Sequence, residues 1–324
     1  MTMQFRDLAA QAAADGAIDP AEVLALRQAG WADGKIDPEE TESLFLANEQ
    51  LRAPDPEWAA LFVEALSNFV VNTVEPHGYV DQTMADELVS RVDRDGKVDT
   101  LAELELLVRV LEMSTRTPAS LKAYVLRQVE NAVLTGEGPT RAGMLDPKAI
   151  NETECGLLRR TIFSAGGDRP AAVSKAEAEL LFRIKDASLY EVNAPEWQAL
   201  FVQGVANYLL GFGGNEPLSA ERAGELDRFM AAEGAGVGGF LGRMLTSKPD
   251  IKGFGSLLGS ADEADYLAAH NDEAAVAEVF SADEQAWLHD RLEADEELDE
   301  LEKALIAFID AETGANFVPR PGRG

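Results

Sequence analysis

One five-residue turn, Asp-Gly-x-(Ile/Val)-Asp, occurs three times in the first third of the chain, as Asp15–Asp19, Asp33–Asp37 and Asp95–Asp99. A chain that reuses a turn also reuses the elements joined by it, so internal repetition constrains the fold more than any single residue does. A shift of 62 residues lays Val80-Asp81 on Ile18-Asp19, Leu88 on Leu26 and Asp95–Asp99 on Asp33–Asp37 without a gap. The same shift brings Pro118 onto Pro56. A shift of 132 aligns Ile150-Asn151, Glu154 and Leu158-Arg159 with Ile18-Asp19, Glu22 and Leu26-Arg27. After an insertion, Ser174–Glu177 takes the place of Asp37–Glu40, and PEWQALFVQGVANYLL (Pro195–Leu210) matches PEWAALFVEALSNFVV (Pro56–Val71). Shifts of 200 and 262 place Leu218-Ser219 and Phe280-Ser281, with Glu284, Leu288, Asp295, Leu298-Asp299 and Glu302, in the same frame. The chain therefore reads as five tandem units starting near residues 18, 80, 150, 218 and 280. The best-matched pairs imply a duplicated block of roughly 135 residues.

Each unit reads as helices joined by that turn, which makes the fold all-α with EF-hand-like loops. Asp19, Asp81, Asn151, Ser219 and Ser281 stand where helices start, and their side chains suit the unpaired amides of a first turn. Glu22, Glu154 and Glu284 lie three residues after their caps, which is the spacing of a capping box. Asp37-Pro38-Glu39-Glu40 carries the same start signal for a second helix, and Asp99 does so in the second copy. A third helix shows an apolar stripe through Trp58, Leu61, Phe62, Ala65, Leu66, Phe69 and Val70. No segment alternates with period two, so strands are expected only as a short bridge between loops. Four segments follow: a first helical repeat domain over 1–137, a second over 138–233, a glycine-rich loop or hinge over 234–260, and a C-terminal helical unit with its tail over 261–324. Gly234–Gly259 holds eight glycines in 26 residues, more than a packed helix tolerates.

Charge narrows the function classes. With 58 Asp and Glu against 28 Lys and Arg, the net charge is −30. Binding to phosphate backbones or anionic membranes needs clustered cations, so neither nucleic acid nor a membrane surface is an expected partner. Cations and basic protein surfaces are. Apolar residues make up 46% of the 324, enough for a packed core, but no run reaches the roughly 18 of a spanning helix. The first sixteen residues carry Arg6, Asp7 and Asp15 and have no apolar stretch of the signal-peptide kind, so a cytoplasmic location is expected. Cys155 is the single cysteine, expected as a small buried side chain.

The recurring turn matches the second half of a calcium-binding loop. Asp33 falls at loop position 5, Gly34 at the turn, Ile36 at the apolar position, Asp37 at position 9 and Glu40 at the bidentate position 12. The first half departs from it, with Gln11 and Ala13, or Ala29 and Trp31, where carboxylates belong. The third loop regains Asp93 beside Asp95 and Asp99, although Arg91 takes position 1 and Glu103 comes one place late. Asp93, Asp95, Asp99, Glu103, Asp33, Asp37 and Glu40 are thus the candidate metal ligands, for Ca2+ or another divalent cation. All these residues equally serve a metal-free turn, in which glycine gives positive φ and aspartate caps the next helix. No other cofactor is indicated. The segment Ala32-Asp33-Gly34-Lys35-Ile36-Asp37 with Glu40, and Leu298–Glu302 followed by Ala304-Leu305-Ile306, resembles degenerate EF-hand proteins and the bacterial TerB-like helical domains of tellurite resistance. That resemblance implies an all-helical fold, and with it metal binding by nearby acidic residues.

Catalytic constellations are missing from the sequence. His77, His270 and His289 are scattered, with His289 and Glu293 four apart on an expected helix. Gly234-x-Gly236-x-x-Gly239 follows a helix rather than the strand that a dinucleotide site requires. Trp58 and Trp197 hold matching places and are expected in the core. The run Glu293–Glu302 concentrates negative charge, and Glu293, Asp295, Glu296, Glu297, Asp299 and Glu300 are the candidate contacts for a basic partner. The functional expectation is a non-catalytic acidic helical scaffold or adaptor for a protein partner. A divalent-cation-binding protein is the alternative, and an acidic DNA-mimic inhibitor a second alternative.

Overall fold

A computed structural model describes residues 2–30, 36–52, 55–73, 77–94, 96–141, 147–165, 172–212, 281–292 and 297–314. The fold is all-α, with twelve α-helices among the described residues. Strand is confined there to a two-residue antiparallel ladder, Asp93–Arg94 against Lys97–Val98, and one isolated bridge between Tyr79 and Arg116. No helix among the described residues is long and apolar enough to cross a membrane. The chain divides into two compact units, residues 1–148 with 156–171, and residues 149–155 with 172–324.

In the first unit, α1 (Thr2–Ala12) packs on α2 (Pro20–Gly30) and α3 (Pro38–Gln50). The helix α4 (Pro56–Asn72) lies along α6 (Leu101–Met113), while α7 (Ala119–Thr135) packs on both α5 (Gln82–Val92) and α6. Two T-shaped or tilted ring contacts anchor the core, Phe45 on Phe62 at 5.5 Å and Trp58 beside Phe62 at 6.2 Å. Most of α8 (Glu152–Ile162) belongs to this unit, and its Arg160 forks onto α6 through Glu105 at 2.6 Å and Glu112 at 2.7 Å.

In the second unit, α10 (Glu196–Phe212) packs against α9 (Lys175–Ser188) and α12 (Glu300–Thr313), and α11 (Ala282–Leu292) adds Trp287. The same ring positions meet here, Phe182 on Phe201 at 5.1 Å and Trp197 beside Phe201 at 6.1 Å. Trp287 closes the cluster edge-on against Phe182 and Tyr208. Trp58, Trp197 and Cys155 are all buried.

Local chemistry explains where the helices start. Reciprocal boxes, in which cap and glutamate side chains each accept a backbone N–H of the other, form at Asp37/Glu40, Thr100/Glu103, Ser174/Glu177 and Asp299/Glu302. The same two bonds occur at Asp19/Glu22, Asn151/Glu154 and Ser281/Glu284. Asp81 caps α5 by accepting from the Met84 N–H, with no partner carboxylate at the third position. One start differs from the sequence reading. Thr100, not Asp99, caps α6, because Glu103 stands three residues after Thr100 and completes a box only with it. That shift accounts for the lateness of Glu103 in the calcium-loop frame.

Candidate functional site

Four carboxylates of the calcium-like loops, Asp93, Asp37, Glu40 and Glu103, spend oxygens on the protein's own donors. Asp93 accepts the Gly96 N–H at 2.6 Å through one oxygen and the Tyr124 hydroxyl at 2.8 Å through the other. Gln128, also on α7, takes the Val98 N–H and gives its amide N–H to the Gly96 carbonyl at 3.0 Å. The turn itself needs glycine: φ is +87° at Gly96 and +84° at Gly16, and a Cβ on Gly96 would meet nothing within 4 Å. Burial and the hydrogen bond to Asp93 drive the Tyr124 phenol far above its ordinary value. Tyr124 and Gln128 therefore hold the loop from the side. Asp37 accepts from the Glu39 and Glu40 amides, and Glu40 from the Asp37 amide. Asp99 is exposed. Asp33 and Asp95 lie outside the described residues, and among those described no three His, Cys, Asp or Glu side chains group where one ion could be shared.

The box glutamates have a second role that spacing alone does not disclose. Glu40, Glu103, Glu154, Glu177, Glu284 and Glu302 are all buried. A buried carboxylate needs donors beyond one backbone amide. In the first unit Asn48 supplies one, its amide N–H reaching Glu103 at 3.3 Å, while its carbonyl accepts the Trp58 indole N–H at 3.1 Å. Asn48 lies eleven residues after Asp37, and eleven residues after Ser174 stands Lys185. Lys185, 1% exposed, plays the equivalent part with a charge. Its Nζ meets Asp299 at 2.6 Å, Glu302 at 2.7 Å and the exposed Asp186 at 2.9 Å. Burial opposes that charge, but hydrogen bonds to Asp186, Asp299 and Glu302 outweigh it and keep the ammonium protonated well above the ordinary lysine range. One ammonium serves several carboxylates, so burial, with help from the neighbouring Asp299 charge, pushes the Glu302 carboxyl upward. With an ammonium in place of the amide, the Trp197 indole N–H has no hydrogen-bond partner among the described residues.

This cluster sits at the start of α12, inside the acidic run. Asp299 caps the helix, and Glu302 is buried within it. Glu297 is exposed, and Glu300 is exposed with an ion pair to Lys303 at 2.8 Å. Glu293, Asp295 and Glu296 lie outside the described residues, as do Asp33, Trp31, His270 and the whole Gly234–Gly259 segment. His77 occupies an exposed turn.

Beside the cap is a groove of about 700 Å³, lined by Leu189, Tyr190, Pro195 and Trp197 on one side and by Leu298 and Leu301 on the other. Asp299, Glu297 and Glu300 rim it. The loop that enters the groove is pinned at both ends: Asn193 accepts the Ile150 N–H at 3.0 Å and donates to the Ser188 carbonyl at 2.8 Å, and the Ala194 N–H reaches the Ile150 carbonyl. Between those pins Tyr190 is 93% exposed and Val192 96%. A second groove, between α4 and α6 in the first unit, holds about 880 Å³, with Ala59, Ala60, Val63, Leu101 and Met113 among its walls. Its carboxylates Glu64 and Glu105 are engaged by Arg27 and Arg160. Comparison with protein-family models, curated proteins and solved structures finds no match for the chain.

Proposed function

We propose that this chain is a non-catalytic acidic helical adaptor that binds a protein partner through a basic segment, received at the N-terminal end of α12. In this reading the chain is a tandem array of EF-hand-like or TerB-like helical pairs, whose calcium-like turns serve as helix joints. The recurrence of the Phe45–Phe62–Trp58 trio as Phe182–Phe201–Trp197 supports the duplication. One observation carries the functional reading: exposed carboxylates, Glu297 and Glu300, line the same groove as Tyr190, a large side chain left in water with the exposed Val192 two residues on. Folding requires neither exposure. Solvated apolar groups rimmed by charge of one sign suit a partner that brings the opposite sign with its own apolar contacts.

The divalent-cation reading has less support, because Asp93, Asp37, Glu40 and Glu103 already accept hydrogen bonds from the chain. The test is fluorescence anisotropy with labelled peptides bearing Lys or Arg beside Leu or Phe, set against the same peptides with Glu in place of the cations. Basic peptides should bind the full chain, weakening steadily as salt is raised. Equal binding of both sets, or of neither at low salt, would sink the proposal.

A further inference from the structure

Resting on that reading, we infer that the groove between the α9–α10 loop and the start of α12 is the partner site, and that it takes an extended segment with one apolar or aromatic anchor next to a Lys or Arg. Comparison of the two units supplies the first argument. From the cap Asp37 to Pro56 the first unit uses 19 residues, whereas from Ser174 to Pro195 the second uses 21. One of the two extra residues lengthens α9, which has 14 residues against 13 in α3, and the other lies in the loop that carries Tyr190 and Val192. In the first unit Arg52, at the start of the corresponding loop, bonds the Gly16 carbonyl through its N–H at 3.0 Å. In the second the loop is pinned by Asn193 and Ala194 so that both apolar side chains project. A loop fixed in its contact geometry before binding loses little entropy when the partner arrives.

Charge gives the second argument. Glu297, Asp299 and Glu300 rim the groove, Glu196 and Asp186 are exposed nearby in sequence, and Lys185, the cation beneath Asp299, is already shared among three carboxylates. The rim is therefore short of positive charge, which an incoming Lys or Arg supplies. A second copy of this chain, at net −30, would repel instead. Trp197 gives the third argument. It lines the groove, and its buried indole N–H has no hydrogen-bond partner among the described residues, although Trp58 at the matching position satisfies its own through Asn48.

The experiment selects displayed random twelve-residue peptides on the immobilised full chain, then titrates a synthetic copy of the winner against variants. Selection should favour peptides with Leu, Phe or Trp beside Lys or Arg. The synthetic peptide should lose about tenfold in affinity on Y190S/V192S, and about tenfold on E297Q/E300Q. These side chains are exposed, so thermal unfolding of both variants should match the wild type. Basic peptides that bind Y190S/V192S as tightly as wild type would overturn the groove while leaving a basic partner in place. Failure to enrich basic peptides would overturn both. Tighter binding by a synthetic peptide of residues 238–252, which carries Arg243, Lys248 and Lys252, would overturn an external occupant in favour of the chain's own segment.

Discussion

Replacement of Lys185 by Met tests whether a buried ammonium organises the second unit. The side chain is 1% exposed, and its loss leaves Asp299 and Glu302 facing one another across the start of α12, with Glu302 itself 1% exposed. Removing one partner of a buried ion pair costs about 3–5 kcal/mol, chiefly because the remaining charge stays buried without compensation. Asp186, 56% exposed, adds little to that figure. Both remaining carboxylates keep their cap bonds, since Asp299 accepts from Leu301 and Glu302 amides and Glu302 from the Asp299 amide. The loss should therefore fall near the lower end, about 3 kcal/mol. Lys185→Asn installs the side chain used in the first unit, with an N–H for Glu302 and a carbonyl for the Trp197 indole, and should lose about half as much. Hydrogen exchange of α9 and α12, read by mass spectrometry, measures the second unit apart from the first. The pH dependence gives a further check. The Glu302 carboxyl is already raised, and K185M raises it further, so its ionised form opposes folding above that value. The deficit of K185M should shrink as pH falls from 7 toward the ordinary carboxylate range. A deficit under about 1 kcal/mol, or one equal at pH 7 and pH 5, would refute the argument.

Other outcomes follow from the first unit. Tyr124→Phe removes a hydroxyl donor to a carboxylate and should cost about 1.5–3 kcal/mol, seen as faster amide exchange at Gly96 and Val98. The raised phenol of Tyr124 contributes stability that is present below its ordinary value near pH 10 and lost above it, so Y124F should lessen the fall of stability during alkaline unfolding. Gly96→Ala should cost about 1–2 kcal/mol in equilibrium unfolding through backbone strain alone, because its Cβ would touch nothing. Burial raises Glu112, but Arg160 and Arg109 overcome it and hold the carboxyl below its ordinary value of 4.5. The stability from that pairing is present above pH 4.5 and lost as pH falls below it, so Arg160→Met should remove this part of the acid dependence in an acid titration.

Legibility in the sequence follows the range of each interaction. Helix starts at Asp19, Asp37, Asn151, Ser281 and Asp299 can be read directly, because a box is settled by residues three apart. Two capable caps side by side, Asp99 and Thr100, defeat that reading until the position of Glu103 is made the criterion. At the N-terminus the calcium frame puts Gln11 in a loop, whereas Gln11 is in α1, where Ala and Gln favour the helix. The pairing of Lys185 with Asp299 spans 114 residues, and that of Asn48 with Glu103 spans 55. On a helical surface pattern each would pass for a solvated side chain, so neither could be found locally. The exposed Tyr190 and Val192 had a signal: the spacing from cap to proline differs by two residues between the matched copies. Only the projection of that loop shows what the insertion does.

In the proposed reading, the aspartate–glycine turns close on donors of the chain itself and the negative charge is left for a partner. Thermal unfolding of the full chain in about 1 mM Ca2+ against chelator, at matched ionic strength, measures this most directly. A loop binding Ca2+ with a Kd of about 10 µM would gain about 2.7 kcal/mol at that concentration. For a unit of this size that corresponds to a Tm increase of about 5–10 °C. The melting curves should coincide, and a calcium-dependent rise of several degrees would show that a loop holds the ion.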